Sequence, residues 1–344
     1  MASQFLPRTT FPTLDSLPRS YFLGHHRAGL SKMKALLGQI DLVIECRDYR
    51  VPLTSRNPMF EASLAGKNRL IVYTKRDLGS MGKKGDLQRE EIIKQWHAPF
   101  PVIFTSITSR PSIRAVLQFA RSYSLDRFSV TGLRMLVVGM PNVGKSSLLN
   151  ALRSLGVSKG KVASTGAQPG VTRKIATGVK IIEGQEGMEG VYLLDTPGVF
   201  VPHVPDAETM LKLALCGSVK DTIIAPVTLA DYLLYRINLV TPGLYAEYHP
   251  PTNEVITLLN AIAEKTGRLQ KGGTLDTEAA ALWMIQRWRT GHLGRFMLDE
   301  ISEDALENKK IEEGAMVPSM HQARKADKEM RRARSKSRRQ AVGV

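Results

Sequence analysis

The chain is poor in cysteine: Cys46 and Cys216 are its only two in 344 residues. Two thiols cannot build a disulfide framework, so the expected setting is a reducing compartment with both side chains packed in the core. Nor is there an apolar run near the roughly 20 residues that a membrane-crossing helix needs, which excludes an integral helical membrane protein. Internal repeats are absent as well, so no solenoid is encoded. Acidic residues are in deficit, 32 against 48 Lys and Arg, leaving a net charge of +16. An excess of that size points to a polyanionic partner, a nucleic acid first and an anionic membrane surface second. What remains is ordinary for a folded protein: 43% hydrophobic and 23% charged residues, in a length that suits two domains.

The first thirty residues carry Arg8, Arg19 and Arg27 with Asp15 as the single acid. That composition fits a mitochondrial presequence and fits a disordered basic terminus equally well. From residue 40 onward, short continuous apolar runs at 40–46, 70–73, 102–104, 135–138 and 192–194 read as strands covered on both faces. Helical patterns at 89–96, 113–121 and 146–154 fall between them. The expected fold is therefore α/β, a P-loop domain with a doubly wound, mostly parallel sheet. After Phe200 the strand signals stop, and 207–215, 229–237, 255–265 and 277–289 read as helices of a smaller second domain. From His321 to the end, nine Lys or Arg stand against Asp327 and Glu329, seven of the sixteen net charges. The expected division is 1–20 basic terminus, 21–205 nucleotide domain, 206–315 helical domain and 316–344 basic tail.

The strongest local pattern is Gly139-Met140-Pro141-Asn142-Val143-Gly144-Lys145-Ser146-Ser147, set between an expected strand and an expected helix. It fits G-x-x-x-x-G-K-[ST], in which glycines let backbone N–H groups close on phosphate oxygens at a helix N-terminus. Lys145 is placed to reach the β- and γ-phosphates and the Ser146 hydroxyl to ligate Mg²⁺. Asp195-Thr196-Pro197-Gly198 ends a strand, where the acid can hold Mg²⁺ through its water and Gly198 can offer its amide to the γ-phosphate. Between them, Gly170-Val171-Thr172-Arg173 supplies Thr172 as a second hydroxyl ligand of Mg²⁺.

Guanine selectivity needs a carboxylate that accepts from N1–H and the 2-amino group. Thr74-Lys75-Arg76-Asp77 supplies one: Asp77 makes the paired bonds while the Lys75 stem lies along the purine. Thr105-Ser106-Ile107 is placed to aim a backbone amide at the base oxygen. Together these motifs predict a site for GTP or GDP with Mg²⁺.

Their order is inverted, because the base-reading motif precedes the P-loop. In this the chain resembles the circularly permuted GTPases. Tyr21-Phe-Leu-Gly-His25, Asp41-Leu-Val-Ile-Glu45, Arg56-Asn-Pro58, Pro141-Asn-Val-Gly144 and Leu213-Ala-Leu-Cys-Gly217 are similar to the YlqF/RbgA ribosome-assembly GTPases, and within them to the mitochondrial branch. The likeness covers residues 20 to 300. Thr74 replaces the family's usual Asn, so the expectation is a less braced base loop, and Tyr21, Leu23 and His26 depart from its Trp-Phe-Pro-Gly-His-Met. Cutting the domain this way sends the segment after Asp195 straight into the helical part, so nucleotide state and domain angle are expected to be linked.

Val199 stands where many GTPases place a water-orienting Gln, so hydrolysis by the chain alone is expected to be slow. The resemblance implies His25 as the catalytic substitute; a histidine contacting RNA or packing beside His26 is the alternative. It also implies that Asn142 holds K⁺ against the phosphates. The implied function is a monomeric GTPase that assists maturation of the mitochondrial large ribosomal subunit, binding rRNA in the matrix. A nucleotide-dependent RNA scaffold with negligible turnover is one alternative. A peripheral inner-membrane protein whose basic tail reads anionic lipid is another.

Overall fold

A computed structural model describes residues 5–12, 14, 17, 24–126, 132–160, 178–184, 189–199, 204 and 206–316. Thr172 and the basic tail lie outside them. Six strands form one sheet in the order β3-β2-β1-β4-β6-β5. They are β1 (Leu42–Asp48), β2 (Arg69–Thr74), β3 (Val102–Phe104), β4 (Leu133–Gly139), β5 (Val179–Ile182) and β6 (Val191–Asp195). Every neighbouring pair is parallel except β5, which runs antiparallel to β6 at the edge.

The continuous apolar runs are explained by the two covered faces. Leu42, Ile44, Met135 and Val137 join Leu148 and Leu149 of α6 (Lys145–Gly156) and Val116 of α5 (Arg110–Leu125). Their neighbours Val43, Leu136 and Val138 point the other way, onto Leu30 and Met33 of α1 (Gly24–Leu36). With a period of two residues, both faces must be apolar, so no polar alternation survives. Two short helices, α2 (Pro58–Ser63) and α3 (Arg76–Gly79), and the longer α4 (Lys84–His97) complete the first part.

After β6 only helices follow among the described residues, apart from one isolated antiparallel bridge between Leu269 and Leu275. They are α7 (Ala207–Leu215), α8 (Pro226–Val240), α9 (Val255–Thr266), α10 (Thr277–Arg289) and α11 (Ala305–Met316). Asp206 starts α7 by accepting from Thr209 N at 2.6 Å, and Asp276 starts α10 by accepting from Ala279 N at 2.9 Å. Each satisfies an N–H that the first helical turn leaves without a partner. The expected α7 and α10 match residue for residue, whereas β5, α1, α2, α3 and α11 have no counterpart in the sequence reading.

The amino-terminal segment packs against this helical part. Arg8 donates to Asp231 Oδ1 at 2.6 Å, and its guanidinium lies 5.6 Å from the Phe11 ring centroid. Phe11 meets Tyr232 edge to face at 5.2 Å. Both cysteines are free and buried, as the composition implied.

Candidate functional site

The P-loop leaves β4 at Gly139, whose φ of 149° belongs to the range glycine tolerates. A Cβ there would come within 2.4 Å of the Cys46 carbonyl oxygen on β1, so glycine is also required by space. Lys145 begins α6, buried in the loop, with Nζ donating to Met140 O at 2.7 Å. Burial lowers its pKa, and the facing Asp195 works against that shift. The arrangement holds a buried ammonium on a loop carbonyl that an incoming phosphate would displace.

At the end of β6, Asp195 Oδ2 accepts from Ser146 Oγ at 2.6 Å. Its Oδ1 is buried with no hydrogen-bond partner. An orphaned carboxylate oxygen beside a serine hydroxyl fits a magnesium ion and its waters, which satisfy both. Desolvation raises the Asp195 pKa, with Lys145 opposing. Three residues on, a Cβ at Gly198 would fall 2.6 Å from Pro141 Cα and 3.1 Å from Lys145 Nζ. The segment after β6 is thus in direct contact with the P-loop. Ser147 follows Ser146 in the first turn of α6.

The base-reading motif comes to the same place from β2. Thr74 Oγ1 donates to the Val143 carbonyl and lies 3.2 Å from Arg47 O. The hydroxyl therefore makes its own tie between the end of β2 and the P-loop. Lys75, at φ 59°, donates to Asn142 O at 2.5 Å and to Asp48 Oδ2 at 2.9 Å. Asp77 sits half-buried in α3, its carboxylate without a hydrogen bond among the described residues. Ser106 N donates to Ser112 Oγ at 3.1 Å, so of the two expected amides the exposed Ile107 is the one left to meet a base.

Asp48, Arg50 and Ser218, to which the sequence assigned no role, complete the site together with Asn57 and Asn142. Asp48 accepts from Arg50 Nε at 3.0 Å and Nη2 at 2.8 Å as well as from Lys75. Burial alone would raise its carboxyl, but Arg50 and Lys75 outweigh it and hold the group well below the usual range. Asn57 Nδ2 donates to Val199 O at 3.1 Å, fixing the chain just past Gly198. Asn142 Nδ2 donates to Gly217 O at 2.8 Å, and Ser218 Oγ donates to Pro141 O at 3.0 Å. The P-loop is therefore tied to the end of α7, where the Leu213-to-Gly217 motif lies. Such contacts join residues distant in sequence, so no local pattern could have found them.

His25 lies in the first turn of α1, and its side chain is outside the described residues. One turn further, a Cβ at Gly29 would lie 3.5 Å from Val199 Cγ2 and 3.6 Å from Pro197 Cβ, and Val199 shares a buried cluster with Leu30 and Met33 of α1. The helix that carries His25 is thus packed on the segment following Asp195.

Known proteins resemble this chain over most of its length. A family model described as 50S ribosome-binding GTPase matches residues 134–269. The chain is 37% identical over 304 residues to mitochondrial GTPase 1 of Schizosaccharomyces japonicus, covering 83% of this chain and 91% of that protein. It is 35% identical over 318 residues to mitochondrial ribosome-associated GTPase 1 of Xenopus tropicalis, with 87% and 100% covered. Among solved structures it is similar to GNP-bound YlqF from T. maritima at 25% identity and a TM-score of 0.54, over 79% of this chain and 97% of that one.

Proposed function

Because the chain belongs to the family of mitochondrial GTPase 1 and YlqF, the circularly permuted GTPases, and so hydrolyses GTP, we propose that it is an assembly factor acting on the mitochondrial large ribosomal subunit and binding its rRNA. The single observation that carries the switch is the pair of bonds from Asn142 and Ser218 that tie the P-loop to the end of α7. A phosphate that moves the P-loop must strain or release those bonds, so nucleotide state is transmitted to the helices. In this reading residues 21–205 form the GTPase domain and 206–315 the helical domain, with the 316–344 tail as an additional basic arm on a monomer.

Asp77 reads guanine while Lys75 and the Ile107 amide line the base. Lys145, Val143, Gly144 and Ser147 hold the phosphates through their backbone or side chains. Ser146, Asp195 and Thr172 hold Mg²⁺, which supplies charge neutralisation for the transferring phosphoryl group. Asn142 adds K⁺ to the same task. Val199 is apolar and buried, so the water must be oriented from elsewhere, and His25 on the adjacent helix takes that role once a ribosomal particle orders it.

Mitochondrial localisation follows the relatives' names, and the matrix is the compartment that holds the proposed substrate. Arg8 and Phe11, within the expected basic terminus, contact Asp231 and Tyr232 of α8. No helix among the described residues is long and apolar enough to cross a membrane. The test is the GTPase rate of the full chain with mitochondrial large subunits and with anionic liposomes. Stimulation by subunits alone is expected. Stimulation by liposomes alone would favour the peripheral-membrane reading, and stimulation by neither would leave an RNA scaffold of slow turnover.

A further inference from the structure

The helical part carries a surface that the nucleotide site does not use. Trp283 of α10 and Tyr248 meet edge to face at 5.4 Å. Arg268 and Arg287 lie 5.0 and 5.4 Å from the Trp283 ring centroid, and Lys265 lies 5.1 Å from that of Tyr248. Several other basic side chains of the helical part sit in ion pairs. Arg289 is paired with Asp221, Arg236 with Glu208 and Lys212 with Asp299. By contrast, Lys265 donates only to the Glu247 carbonyl, Arg268 reaches only Thr266 O at 3.5 Å, and Arg287 has no carboxylate partner among the described residues. Two acids stand near them: Glu264 precedes Lys265 in the chain, and the Glu247 side chain hydrogen-bonds Tyr248.

The chain between α9 and α10 adds a second element to this face. Gln270 N donates to Thr274 O at 2.8 Å, and Asp276 N donates to Arg268 O at 2.9 Å, closing a small hairpin about the Leu269–Leu275 bridge. Its tip is Lys271-Gly272-Gly273, exposed, with both glycines at positive φ. Arg268 opens this hairpin and Lys271 stands at its exposed tip.

We propose that the Trp283–Tyr248 face, with Arg268, Arg287, Lys265 and the Lys271 hairpin, is a docking surface for unpaired RNA. The proposal rests on the assembly-factor reading above and locates its RNA contact. A guanidinium lying on an indole uses its flat face there and keeps its in-plane N–H groups for phosphate oxygens. Its outer face remains a platform on which a splayed base can stack. Holding both arginines on one ring in the free protein reduces the rotamer entropy lost on binding. Arginines and a lysine without ion-pair partners among the described residues, set beside two aromatic rings, suit a polyanion that also offers flat bases, and the exposed Leu269 and Leu282 add apolar surface for a base to cover.

The experiment measures fluorescence anisotropy of a labelled single-stranded RNA with the full chain across a series of KCl concentrations. Vesicles of phosphatidylcholine with an anionic lipid serve as the second probe. The test variant is Arg268→Gln with Arg287→Gln, and the control is Lys34→Gln with Lys84→Gln, two exposed cations elsewhere. Expected is a loss of affinity of roughly tenfold or more and a flattening of log K against log salt by about 1.4, for two phosphate contacts to a single strand. The control should lose far less, and melting temperature and basal GTPase rate should not move. Arg268→Lys with Arg287→Lys should keep the salt slope but recover only part of the affinity, since an ammonium offers no stacking plane.

If wild type binds RNA and the Gln pair binds it as tightly with the same slope, the face is wrongly assigned. A loss confined to vesicles would make it a lipid surface and overturn the proposal. If the wild-type chain binds no RNA at all, the RNA-binding reading itself falls along with the face.

Discussion

The guanidinium of Arg50, just past β1, lies 4.9 Å from the ring centroid of Trp288 on α10, with both side chains almost wholly buried. Arg50 also holds Asp48, which holds Lys75 beside the P-loop. A chain of charge and aromatic contacts thus runs from the base-reading loop to the helical part. Arg50→Met leaves Asp48 buried with Lys75 alone and should cost about 3 to 5 kcal/mol of stability, because one partner of a buried pair is stranded. Adding Asp48→Asn should recover a large part of it. Urea unfolding of the two single variants and the double checks this, and strictly additive losses would show that the pair does not act as a unit.

Asp77→Asn reverses one hydrogen-bonding partner of the base. GTP binding should weaken by about 2 to 4 kcal/mol, and xanthosine triphosphate, with a carbonyl at that carbon, should gain. Titration with both nucleotides decides it; unchanged GTP affinity would remove Asp77 from the base site.

Lys145→Ala and Ser146→Ala should each abolish the rise in melting temperature that GTP produces with Mg²⁺. That rise reflects RT ln(1 + [L]/Kd), and both changes increase Kd. Thermal scans with and without nucleotide give the answer, and a preserved shift in either variant argues against its role.

His97 accepts from the Tyr73 hydroxyl at 2.9 Å when its imidazole is neutral. Burial, reinforced by Arg47 and Arg69, pushes its pKa down to about 2. The unfolded chain binds a proton below about pH 6.5 that the folded one excludes, so stability should fall as pH drops through that value. The slope from this residue is at most about 1.4 kcal/mol per pH unit. Urea midpoints between pH 7 and 5 should decline less steeply in His97→Gln than in wild type; parallel declines would assign the effect to other groups.

His25→Ala should leave GTP binding and the slow basal rate largely intact and abolish stimulation by large-subunit precursors. Replacing K⁺ by Na⁺ should lower both rates. Single-turnover hydrolysis with and without the particles measures each, and undiminished stimulation in the variant would return His25 to an RNA-contacting or packing role.

The P-loop and the permuted order of motifs stand in the residue order itself, as do all strands of the sheet but one. Five of the six strands and the P-loop helix were legible because a strand covered on both faces must be a continuous apolar run, and a phosphate loop needs glycine at fixed spacing. β5 was not, since four residues at an antiparallel edge beside a polar stretch leave too little pattern to read. Helices α7 and α10 were, because Asp206 and Asp276 cap them where an apolar period begins. The tertiary structure alone decided that Thr74 reaches the Val143 carbonyl across 69 positions of chain. It likewise decided that Asn142 meets Gly217 and that Arg50 meets Trp288. It also set two arginines on one indole, because Arg268 and Arg287 come from either side of a hairpin whose closure no local periodicity records. Local propensity fixes elements, but a site assembled from three or four of them is specified by packing, and packing is a property of the folded chain.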